Sequence, residues 1–215
     1  VKSIILGLAF FLCACAHLPP IQPMDAGSRS SMEAQCSSFF PQGRWQLVHT
    51  ITARLTGGRL ATFSGVIALS PRPPSIHCVL MTLEGMVIFE AVDDGRVDVR
   101  RAFGPFDNDD FARGVMEDIR LLFIEPDGGI LETGAFDQGV LGCRYRTGRG
   151  RVVDLIRLAD GEWEMHQYGQ GGRLLRSVTA DAVDNRGIAS RMTLDASGSH
   201  RYTLSMKLVE AIAQP

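Results

Sequence analysis

Between residues 44 and 208 the chain is a succession of short stretches in which apolar and polar side chains alternate, and glycine or proline marks almost every gap. A period of two sends successive side chains to opposite faces of a strand, so each stretch has one face to bury and one to leave in water. That division belongs to antiparallel sheets rather than to parallel sheets covered on both sides. Residues 44–55 set Trp45, Leu47, Ile51, Ala53 and Leu55 on one face, interrupted by His49. Residues 60–70 run into the corner Pro71-Arg72-Pro73-Pro74, residues 76–83 and 86–92 flank a hairpin turn at Glu84-Gly85, and Asp93-Asp94-Gly95 turns into residues 96–103. Residues 140–147, 152–158, 162–168, 174–181, 187–195 and 201–208 continue the series, most cleanly in Met192 and Leu194 and in Tyr202, Leu204, Met206 and Leu208.

One stretch inside this span has a helical period. Asp107-Asn108-Asp109-Asp110 supplies capping oxygens and negative charge at a helix start. Phe111, Val115, Ile119, Leu122 and Phe123 then form an apolar stripe, ended by Pro126 and Gly128-Gly129. A calcium loop is excluded there, because Phe111 stands at a ligand position and no glycine follows. A shorter helix is expected over residues 31–40. About eleven strands and one amphipathic helix predict a mainly β fold, a strongly curved antiparallel sheet or incomplete barrel (half-barrel) that encloses the helix. A β-sandwich would leave that helix without a place.

The amino-terminal segment VKSIILGLAFFLCACAHLPP has one basic residue, Lys2, an apolar run over residues 4–12, small residues and two prolines. The run is shorter than the roughly 20 residues a spanning helix needs, and matches a secretory signal. Val1 fits initiation at a GTG codon. Leu12-Cys13-Ala14-Cys15 resembles a bacterial lipobox. That resemblance implies cleavage before Cys15, acylation of its thiol and new amino group, and a lipid anchor. Ala16 follows in place of the aspartate that signals inner-membrane retention, so the expected location is the outer membrane, facing the periplasm. The expected organisation is a signal peptide over residues 1–14, an acylated cysteine and flexible linker over 15–31, and one domain over 32–215. Cys36, Cys78 and Cys143 then remain. They allow one disulfide in three pairings, but the apolar strand settings of Cys78 and Cys143 favour buried free thiols.

With 45% hydrophobic residues, 21% charged residues and a net charge of −2, the chain is neither disordered nor suited to nucleic acid. It carries no GxSxG elbow, HExxH or CxxC, and His77 and Cys78, as strand neighbours, face opposite ways. Gly169-Gln170-Gly171-Gly172 lacks the Lys-Ser/Thr pair of a phosphate loop and reads as a hairpin turn. No catalytic residues, metal ligands or cofactor are expected. What the chain does offer is apolar capacity spread over strands and helix in Trp45, Phe63, Ile67, Met81, Met86, Phe89, Met116, Met192, Leu204 and Met206. These residues either fill a core or line a cavity whose adaptable methionines would accept an acyl chain.

The lipobox, short helix, Trp-initiated strand Arg44-Trp45-Gln46-Leu47, meandering strands, mid-chain helix and β-rich carboxyl half together resemble the LolA/LolB group of periplasmic lipoprotein carriers. Residues Ser64-Gly65-Val66-Ile67-Ala68-Leu69 and Thr82-Leu83-Glu84-Gly85-Met86-Val87-Ile88-Phe89 are also similar to an uncharacterised family of Gram-negative lipoproteins of that fold, some of them encoded beside fatty-acid-like or aryl-polyene biosynthesis genes. The resemblance implies a half-barrel whose concave face is closed by helices and binds lipid, such as a palmitate chain. It further implies binding or transport of a lipid or lipidated molecule, with a periplasmic carrier or envelope protein as partner. The alternative is a structural or assembly lipoprotein with a filled core that binds a protein partner, and an enzyme comes third.

Overall fold

The computed structural model describes residues 18–198 and 201–215; Cys15, expected as the lipobox cysteine, the expected signal segment, and the histidines His17 and His200 lie outside them. The chain enters through β1 (Gln22–Pro23) and α1 (Ala26–Ser38). It then meanders through β2 (Arg44–Leu55), β3 (Leu60–Pro71), β4 (Pro74–Met81), β5 (Val87–Asp93) and β6 (Val97–Ala102). After α2 (Asp109–Phe123) a second meander follows: β7 (Ile130–Ala135), β8 (Leu141–Arg146), β9 (Val152–Arg157), β10 (Trp163–Tyr168), β11 (Leu174–Ala180), β12 (Arg191–Ala196) and β13 (Tyr202–Gln214). All belong to one thirteen-stranded antiparallel sheet in the order β1-β7-β8-β9-β10-β11-β12-β13-β2-β3-β4-β5-β6. The last strand, β13, pairs with β2 and joins the two meanders, while β1 and β6 remain as separate edges. The sheet is therefore an open half-barrel, as the alternation predicts.

The inner face can be followed strand by strand. Leu47, Ile67, Cys78 and Ala91 stand side by side across β2 to β5. Cys143, Leu155, Met165, Val178, Leu194 and Leu204 continue a second row from β8 to β13. Helix α2 fills the concavity between them. Asn108 caps it by accepting from the Phe111 N–H at 2.7 Å, and Ala112, Met116, Ile119, Leu122 and Phe123 are buried beneath it. Each of the four larger side chains contributes about 1.5–3 kcal/mol by leaving water. The histidine that breaks the β2 pattern stays on the inner face. His49 is 1% exposed, lies 5.7 Å from the Phe123 ring, and neither ring nitrogen has a hydrogen-bond partner. Burial pushes its pKa down to about 4, so the ring is neutral and serves as a flat packing group.

Four details differ from the sequence reading. Helix α1 starts at Ala26, five residues before the expected start at 31, because Asp25 caps it through the Ser28 N–H; only Met32 and Cys36 are buried on it, so no stripe announces it. Strand β7 escapes the alternation test because a register shift between Ile130 and Glu132 breaks its period. Strand β12 begins at Arg191 rather than 187, since Val183 and Ala189 form only an isolated bridge. Cys143 is not a free thiol: it is bonded to Cys36, which ties α1 to the inner face of β8. An apolar strand position suits a half-cystine as well as a thiol, so burial could not separate the two. Cys78 is free and buried.

The Cys36–Cys143 bond spans 107 residues of chain, and closing so long a loop in the unfolded state corresponds to roughly 2–5 kcal/mol. Cys36→Ser/Cys143→Ser is expected to lower the unfolding free energy measured in urea by that amount, and reducing agent should shift the wild type to the variant's midpoint. For His49 the folded pKa of about 4 lies below the unfolded value of 6.5. Its neutral form therefore stabilises the fold fully above pH 6.5, and roughly 3 kcal/mol is lost as pH falls through this window and the unfolded chain takes up the proton. Urea titrations of His49→Leu at pH 7 and pH 4 should show an acid loss smaller than the wild type's by about that amount.

Candidate functional site

The interior described above is packed. Space opens instead beside the carboxyl end of α2, in a groove of about 750 Å³ lined by both halves of the sheet. Phe40, Leu121, Ile124 and Val153 form its buried apolar floor. The β3–β4 turn contributes Arg72, the α2–β7 connection Glu125, Pro126 and Asp127, and the β8–β9 turn Thr147, Arg149 and Arg151. This is an amphiphilic surface, with hydrocarbon at the bottom and charges at the mouth.

Helix α2 is fixed beside the groove by ion pairs to both halves of the sheet. Arg120 donates to Asp93 of β5 at 2.7 Å. Glu117 accepts from Arg149 at 3.0 Å and from Arg151 at 2.9 Å, and lies 3.5 Å from Arg176 of β11. Asp118, with its side chain 6% exposed, accepts from Arg176 and from the Tyr202 hydroxyl of β13 at 2.6 Å. Arg176 also donates to Gln167 of β10 at 3.1 Å. Burial works against the Glu117 carboxylate, yet Arg151, Arg176 and Arg149 hold its pKa below the ordinary range. Burial dominates at Asp118 and raises its pKa against the pull of Arg176 and Tyr202. Each charge in this network has a partner, and together they position α2.

The ten apolar residues proposed from sequence do not meet at one site. Ile67, Phe89, Met116, Met192 and Met206 are buried in the core, where Trp45 and Leu204 pack half-buried against it. Phe63 is half-buried and meets Phe106 edge-on at 5.8 Å. Met81 sits on the outer face beside Ser64, and Met86 is 60% exposed at the β4–β5 hairpin. None of the ten lines the groove. Two signals pointed to the real polar framework. Asp118 interrupts the apolar stripe at helical spacing from Val115 and Leu122, and Arg149-Gly150-Arg151 concentrates charge in one turn.

Among the described residues no cluster of three His, Cys, Asp or Glu side chains could hold a metal, and no helix is long and apolar enough to cross a membrane. His77 meets Glu90 at 3.1 Å on the outer face, while Cys78 points inward with burial pushing its thiol up to about 12. The two cannot act as a dyad.

No family model matches the chain, and no curated protein does. A domain from Vibrio parahaemolyticus described as an outer membrane lipoprotein-sorting protein superposes with a TM-score of 0.53 at 14% identity, covering 88% of this chain and 94% of that one. The fold is LolA-like. A LolA superfamily protein from Nitrosomonas europaea (13% identity, 87% of this chain and 94% of that one) and a DUF1329 family protein from Desulfovibrio piger (12%, 87% and 92%) each give a TM-score of 0.48. At these identities the likeness concerns the path of the backbone.

Arg176→Met leaves the Asp118 carboxylate buried without its cation and is expected to cost roughly 3–5 kcal/mol in urea unfolding. Arg176→Met/Asp118→Leu, which removes both charges, should recover more than half of that loss. A single variant within about 1 kcal/mol of wild type would show that these pairs do not hold α2.

Proposed function

We propose that the protein is a cell-envelope lipoprotein, anchored through acylated Cys15 to the outer membrane and facing the periplasm, that binds or transfers a lipid, an acyl chain or a lipidated molecule. The observation that carries this reading is the groove in a LolA-like half-barrel, whose volume of about 750 Å³ falls within the roughly 300–1,000 Å³ of small-ligand sites. Its apolar floor suits hydrocarbon, and the arginines and carboxylates at its mouth suit a polar head. Deeper entry would require α2 to swing out against its ion pairs.

A second reading is favoured by the filled core. An assembly lipoprotein has no need of an interior cavity, and Leu83, Met86 and Phe103, which are 67%, 60% and 55% exposed, offer an apolar surface at the β4–β5 side for a protein partner.

Detergent-extracted, acylated protein should release a co-purifying lipid in mass spectrometry and take up a fluorescent fatty acid. Ile124→Trp, which fills the groove floor, should weaken that uptake at least tenfold while the far-ultraviolet circular dichroism is unchanged. An empty protein that takes up no probe but captures one envelope protein stoichiometrically would favour the second reading. Cys15→Ala is expected to move the protein from the membrane to the soluble periplasmic fraction.

A further inference from the structure

The outer face of the sheet carries a buried polar cluster that neither the groove nor the core explains. Arg144 of β8 points outward, with its side chain only 7% exposed. It grips Asp154 of β9, which is fully buried, through two bonds of 2.7 and 2.8 Å. The Phe136 ring lies 5.8 Å from its guanidinium carbon. Arg144 also donates to Glu132 of β7 at 3.4 Å and, outside the strands β7 to β9, to the backbone carbonyl of Pro19 at 2.8 Å. Three residues on, Gln22–Pro23 pairs with β7 as an added edge strand.

The sheet is shaped to receive this segment. Gly134 of β7 and Gly142 of β8 stand directly opposite each other. A Cβ at Gly134 would run into the Gln22 carbonyl and Ile21, and one at Gly142 into the Leu155 carbonyl and the Phe136 ring. Glycine weakens a strand, and its use here marks a close backbone approach. Residues 18–23 are thus a strap laid on the outer face of β7–β9, held by a buried charge at one end and a strand pairing at the other.

We infer that this strap orients the tethered domain, holding the outer face of β7–β9 against the phospholipid surface in which acylated Cys15 is embedded. The inference rests on the Cys15 anchor proposed above. Pro19 is four residues beyond Cys15, so a fully extended chain separates them by at most about 14 Å. A linker running to residue 31 would instead reach several times farther and let the domain tumble. With so short a connection, the face beneath the strap cannot leave the headgroup region, and the opposite wall of the half-barrel cannot approach it.

The test uses full-length acylated protein in vesicles of phosphatidylethanolamine and phosphatidylglycerol doped with a headgroup-quencher lipid. A thiol-reactive fluorophore is placed at Arg146→Cys, on the outer face of β8, or at Thr50→Cys, on the outer face of β2 and six strands away in the sheet order. Cys78 is buried and Cys36 and Cys143 are bonded, so only the new thiol is labelled. Quenching at 146 should exceed that at 50 at least threefold. Ten Gly-Ser residues inserted between His17 and Leu18 add up to roughly 35 Å of reach and should bring the two positions to parity without touching the fold. Equal quenching in the uninserted protein overturns the orientation while leaving the anchor intact. Absence of acyl mass on Cys15, with no vesicle binding, overturns the anchor and the inference with it.

Discussion

An antiparallel sheet that curls without closing has a concave apolar face and no second sheet to cover it, and α2 meets that requirement. Its stripe from Ala112 to Phe123 replaces the far wall that a sandwich would supply, and most of the interior packs against it. The helix is also held by charges. Glu117 and Asp118 reach Arg149, Arg151, Arg176 and Tyr202 on one half of the sheet, while Arg120 reaches Asp93 on the other. These pairs are directional where hydrophobic packing is not, so they fix the rotation of α2 about its axis as well as its depth. The groove lies where α2 ends at Phe123 and the chain runs through Ile124 and Pro126 towards β7.

Much of the architecture was legible because its signals were local. Alternation located eleven of the thirteen strands, and the Asp107-Asn108-Asp109-Asp110 cap located α2, since each depends on residues a few positions apart. The misses share a cause in contacts between distant residues. β7 hides its period behind a bulge and a glycine that is required by residue 22 rather than by its own neighbours. The partner of Cys143 stands on a helix with almost no stripe of its own. The groove was invisible because its lining comes from six separate segments, and hydrophobicity alone cannot tell a residue that lines space from one that fills it. The methionines proposed for a cavity illustrate this: Met116, Met192 and Met206 met in the core, whereas Met86 faces water.

Three polar residues inside apolar patterns are informative in opposite ways. Asp118 breaks the helix stripe because it has partners waiting, and Asp154 breaks the apolar run of β9 because Arg144 faces it. His49 breaks the β2 pattern with no partner at all and remains neutral. A polar residue in an apolar pattern thus signals burial, but only the structure shows whether it is paired.

The covalent link between α1 and β8 also has a topological consequence. Cys36 precedes Cys143 by 107 residues, and the loop it closes contains the β2–β6 meander, α2 and β7. The first meander and the helix that fills the half-barrel therefore lie within one covalent ring, fastened at the inner face of β8. Cys78, the one cysteine inside that ring, is buried and free.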